Sequence, residues 1–93
     1  MSKQKLRIAR NKIDQLDKSI FNLIKKRTRI VKYMLNLKQF KNQIVDRKRI
    51  KIILKNIKNK SIKNDVDPKI TTRIWKAMIW GYVDFQRKNF KKK

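Results

Sequence analysis

The sequence predicts an all-α protein of three helices, one long, one short and one of medium length. Three observations carry this. Apolar residues recur at steps of three, four and seven along nearly the whole chain, which is the period of a helix face. There is one Gly and one Pro in 93 residues, so the turn chemistry that a β protein needs is missing. Residues 1–67 contain neither of them, which leaves room for long unbroken helices.

The first helix is expected from about Lys3 to Phe40. With each residue set 100° beyond the last, Leu6, Ile13, Ile20, Ile24, Val31 and Met34 gather on one broad stripe. Arg10, Arg27 and Lys38 continue that stripe. A bare cation on a core-facing stripe costs several kcal/mol unless something anionic meets it. An anionic ligand inside a helical assembly is the natural counterpart. A helix of about 36 residues also runs about 54 Å, longer than so small a domain covers, so a second copy is expected to bury the overhang.

Lys41, Asn42 and Gln43 read as a short connection. Asp46 is placed to cap a second helix, whose apolar face is Ile50, Ile53, Leu54 and Ile57. The polar stretch from Lys60 to Asp65 reads as the next loop. Asp67-Pro68 then supplies an N-cap acid followed by Pro at the first helical position. The third helix is expected to reach about Asn89, with Ile70, Ile74, Trp75, Met78, Ile79, Tyr82 and Val83 on its apolar side. Gly81 inside it costs about 1 kcal/mol against Ala, so close packing is expected there. Residues 1–93 form a single domain, with residues 89–93 as a frayed basic tail.

The formal charge is +23, from 29 Lys and Arg against 6 Asp, with no Glu, His or Cys. Without His, Cys or Glu there is no ordinary zinc site, no Cys–His pair and no Ser–His–Asp triad. The acids Asp14, Asp17, Asp46, Asp65, Asp67 and Asp84 lack metal-loop spacing, and one Gly cannot build a phosphate loop. An enzyme with this inventory works by binding and electrostatics on a substrate that reacts by itself. The lack of Cys fits a cytoplasmic protein, no apolar run approaches the roughly 20 residues of a membrane span, and the N-terminus has no apolar leader segment. The charge itself invites a nucleic-acid reading. Against it, the cations are spread along the chain, and Lys, Ile and Asn have A/T-rich codons, a source of surface charge without functional demand.

The run Leu6-Arg7, Arg10, Ile13-Asp14, Leu16-Asp17, Leu23-Ile24, Arg27, Val31, Lys38, then Val45-Asp46, Arg49, and finally Tyr82 and Gln86 resembles the all-helical AroQ-type chorismate mutase family. That family includes the isochorismate-pyruvate lyases. The resemblance covers nearly the whole chain. It implies an intertwined homodimer with the chorismate mutase type II fold, two active sites shared between protomers, and neither cofactor nor metal. It also implies that Arg10 reaches across the dimer while Arg27 and Lys38 serve their own site. These are the same cations that periodicity alone sets on the stripe.

The implied substrate is a small dicarboxylate, chorismate or isochorismate. Rearrangement of chorismate to prephenate is a single pericyclic step, for which a site must hold the folded conformer and stabilise charge growing on the ether oxygen. The resemblance assigns Arg10 and Arg27 to the carboxylates, Lys38 and Gln86 to the ether oxygen, and Arg49 to orientation. Met34, Ile53, Ile79 and Val83 would form apolar walls. Three places depart from the usual mutase pattern. Ile50 stands where a Glu normally accepts the ring hydroxyl, Tyr82 stands where Ser is common, and the connection from Lys38 to Asp46 is one residue short. These features resemble the lyase branch, whereas Asp46 is mutase-like. Both activities therefore stay open, as does a second class: a basic helical nucleic-acid binder resting on surface lysines and the Lys91–Lys93 tail.

Overall fold

The structure is a computed structural model that describes residues 2–91. Helix α1 spans Lys3–Leu37, a single 3-10 turn spans Lys41–Gln43, α2 spans Arg47–Lys63 and α3 spans Pro68–Asn89. No strand occurs among the described residues, as the all-α expectation requires. Contacts divide the chain into two units, Met1–Tyr33 and Met34–Lys93.

The first unit is the greater part of α1 alone. Ser2 caps it, its Oγ accepting the amides of Gln4 and Lys5. Most apolar members of the expected stripe are exposed in the single chain, Ile13 at 56% and Ile20 at 54%, while Val31 is half-buried.

The second unit holds the core. Leu35 from the end of α1, Ile44 from the connection and Val83 from α3 form a buried cluster, with Val45 and Phe90 packed on it. Phe90 therefore does not belong to a frayed tail. The backbone leaves the helix after Asn89 and returns the phenyl ring to the cluster. Lys92 and Lys93, the rest of the expected tail, lie outside the described residues.

α1 stops at Leu37, three residues before the expected end at Phe40. The Gln43 side chain is the reason: its Oε1 accepts the amides of Gln39 and Phe40, both at 2.8 Å, so the backbone gains a partner outside the helix. Phe40 consequently sits extended, at φ −126° and ψ 142°.

Both predicted N-caps are made. Asp46 accepts the Arg49 amide at 3.0 Å and Asp67 accepts the Lys69 amide at 2.9 Å, with Pro68 opening α3. α2 runs on to Lys63, through most of the stretch read as loop. Ser61 allows this by donating to or sharing with two partners, Ile57 O at 2.6 Å and the Thr71 hydroxyl at 2.7 Å, so its side chain is satisfied inside the α2–α3 junction. Beyond the α2 C-cap Asn64 the chain turns at Asp65, φ 56°, a left-handed conformation of the kind Asp tolerates. The Val66 and Asp65 amides turn back to Ser61 O and Ile62 O, so carbonyls of the last helical turn accept from the chain that leaves it. The close approach expected at Gly81 is not made within the chain, where a Cβ would meet nothing within 4 Å.

Candidate active site

The candidate residues of the second unit converge on the end of α1, the start of α2 and the last turns of α3. Lys38 lies one residue beyond α1, and its backbone amide still donates to Leu35 O at 3.2 Å. That bond fixes the direction in which its side chain leaves. Its Nζ donates to Gln86 Oε1 at 2.7 Å across 48 positions of sequence. Gln86 is only 7% exposed, on the buried side of α3 beside Ile79 and Val83.

The orientation of the Gln86 amide follows from its partners. An ammonium group can only donate, so the carbonyl end must face Lys38. The amide nitrogen donates to Tyr82 O one turn earlier, at 3.2 Å, and a carbonyl can only accept. Each group keeps spare donors. Lys38 has used one of its three N–H bonds on Gln86, and the Gln86 amide has a second N–H beyond the one given to Tyr82. Two donors thus stand side by side, which is what an oxygen gaining negative charge needs.

Burial pushes the Lys38 ammonium below its ordinary pKa, and the negative charge of Asp46 acts in the opposite direction. Asp46 therefore does two things. It caps α2 through the Arg49 amide, which fixes where Arg49 departs from the first turn, and it favours the charged form of Lys38.

Of the other expected site residues, Ile50 and Tyr82 are half-buried on α2 and α3, while Arg49 is exposed. Arg10, exposed, and Arg27, half-buried, lie on α1 in the first unit. Among the expected walls, Ile79 and Val83 are buried, Ile53 is half-buried and Met34 is exposed in the single chain. Two features escaped the sequence reading. One is the backbone carbonyl of Tyr82, which anchors Gln86; the i, i+4 spacing of the two residues was the available signal. The other is the Ser61–Thr71 hydroxyl pair, for which no sequence signal exists because its partners come from separate helices.

Among the described residues no group of His, Cys, Asp or Glu is arranged to hold a metal, and no helix is long and apolar enough to cross a membrane. No curated protein and no solved structure matches the chain. A model of the family described as chorismate mutase type II matches residues 9–87, a span that includes Arg10, Arg27, Lys38, Asp46, Arg49 and Gln86. With that match over most of its length and an all-helical architecture, the chain belongs to the chorismate mutase type II family, whose domain is that of an isomerase.

Proposed function

We propose that this single domain converts chorismate to prephenate in a pocket where Lys38 and Gln86 donate to the ether oxygen. As the ether C–O bond breaks and the new C–C bond forms, electron density accumulates on that oxygen. No proton transfer or covalent attachment to the protein is required, which suits a chain without His, Cys or Glu. Donors already fixed by their own bonds before the substrate arrives stabilise this charge at little cost of reorganisation. The 2.7 Å Lys38–Gln86 bond is the observation that carries the reading, because it holds two donors together before any substrate arrives.

Arg27 and a partner's copy of Arg10 take the two carboxylates through charge-assisted hydrogen bonds. Arg49 adds positive potential at the start of α2. The working protein is a homodimer. The bare apolar stripe of α1 supports this, since an isolated helix of this kind would leave Leu6, Ile13, Ile20 and Leu23 in water. The absence of Cys supports a cytoplasmic setting.

The test supplies purified protein with chorismate and isochorismate in separate reactions and measures prephenate, salicylate and pyruvate. Prephenate from chorismate is expected. Salicylate and pyruvate from isochorismate, without prephenate, would assign the site to the lyase branch, where Ile50 and Tyr82 point. Turnover of neither substrate, together with no thermal shift on adding either, would refute the reading.

A further inference from the structure

The cations that look scattered in the sequence are gathered by the fold. α2 and α3 pack against each other and are joined by a short turn, so they run antiparallel. On α2 the covered side is centred on Ile50, Leu54, Ile57 and Ser61, and on α3 it is centred on Ile79, Val83 and Gln86. A quarter turn from the covered side, in the sense that reaches the same side of the pair, brings Lys51 and Lys58 on α2. The matching quarter turn on α3 brings Lys69, Lys76, Trp80 and Arg87. All five cations are exposed, and Trp80 is 40% exposed among them.

The Ser61–Thr71 bond sets the register of the two helices. Counting back from it at about 1.5 Å per residue, Lys58 falls level with Ile74, about 3 Å along the axis from Lys76, and Lys51 falls one residue from Trp80. The result is a ladder of cations about 10 Å wide with an indole ring set into it. α2 contains no acid at all, and Asp84, the single acid of α3, stands toward the outer edge of the patch. The opposite quarter of the pair differs in kind. It carries Arg49, Ile53 and Lys60 on α2 and Thr71 and Met78 on α3, while Ile70 and Ile74, 56% and 52% exposed, turn toward the back of α3.

We propose that this basic face of the α2–α3 pair binds single-stranded nucleic acid, the cations taking phosphates and Trp80 stacking on a base. Charge complementarity selects a polyanion, and the exposed ring selects one with flat π faces. An anionic bilayer would call for a broad apolar face beside the lysines, which this side lacks. The proposal does not depend on the catalytic reading, because none of its residues is assigned to the active site.

The experiment measures fluorescence anisotropy of a labelled, mixed-sequence RNA of about 12 nucleotides, a length within the span of known single-strand sites. The full chain is compared with a quadruple variant, Lys51→Gln, Lys58→Gln, Lys69→Gln and Lys76→Gln. A control carries Lys3→Gln, Lys18→Gln, Lys25→Gln and Lys32→Gln, removing the same charge from a flank of α1 that holds none of its apolar stripe residues. The face variant is expected to lose affinity steeply and to flatten the plot of log affinity against log salt by about 3, while the control keeps most of both. Trp80→Leu is expected to weaken binding about tenfold. Far-UV circular dichroism and thermal unfolding, measured in parallel, report that each variant is folded. Equal losses in the two quadruple variants would show that bulk charge alone is responsible and would overturn the proposal. No binding by the unaltered chain would overturn it as well, and so would face-dependent binding confined to phosphatidylserine vesicles.

Discussion

Replacing Lys38 with Met tests the site at its most informative atom. The substitution keeps an unbranched side chain of similar length and removes the ammonium. Two consequences follow, and they are read in different assays. For catalysis, the donor held at 2.7 Å from Gln86 is lost together with a full positive charge facing the oxygen that becomes negative. Removing one preorganised donor of this kind costs about 3 kcal/mol, or roughly a hundred- to a thousandfold in kcat. For stability, Gln86 Oε1 is left without its donor in a side chain that is 7% exposed. An orphaned buried acceptor costs about 1–3 kcal/mol, partly offset here because the desolvated ammonium that lowers the Lys38 pKa is also gone. The expected outcome is a large loss of kcat with a net loss of stability of about 1 kcal/mol. Initial rates of chorismate consumption and urea unfolding measure the two separately. Lys41→Met in the exposed 3-10 turn is the reference and should change neither. Lys38→Gln should be nearly as damaging to kcat as Lys38→Met, since the charge matters beyond the hydrogen bond. A kcat for Lys38→Met within about fivefold of the unaltered protein would refute the role given to Lys38.

Three further outcomes are expected. Asp46→Asn keeps a side chain that caps helices well but removes the charge that raises the Lys38 pKa, so the alkaline limb of kcat/KM should move to lower pH; an unmoved limb would separate Asp46 from Lys38. The sign follows because Lys38 acts in its charged form, which is lost as pH rises through its pKa, and Asp46 holds that pKa up against burial. Ile50→Glu restores a carboxylate for a ring hydroxyl and should raise prephenate formation, whereas a fall would mean that Ile50 belongs to a differently shaped pocket. Mixing inactive Arg10→Ala and Lys38→Met proteins under exchange should recover up to about a quarter of full activity, because only mixed dimers regain one intact site; no recovery, with exchange verified, would place both residues within one protomer's site.

Much of the fold was legible because local chemistry controls it. Asp46 and Asp67-Pro68 start helices through bonds two or three residues away, and the period of apolar residues defines the helix faces whatever they meet. The choice of Arg10, Arg27 and Lys38 followed from the same periodicity, since a cation on an apolar stripe is anomalous by itself. The misread boundaries have equally local causes that compete with periodicity: Gln43 draws off two amides at the end of α1, and Ser61 is satisfied by a partner on the next helix. What the sequence could not disclose is whatever depends on two distant segments meeting. The bond from Lys38 to Gln86 spans 48 positions, and its geometry, its shift of the lysine pKa and the fixed sense of the glutamine amide arise only once α3 packs beside the end of α1. The basic ladder has the same origin. Helical period puts Lys51 and Lys58 on one line and Lys69 and Lys76 on another, but only antiparallel packing in the register of Ser61 and Thr71 turns two lines into a surface.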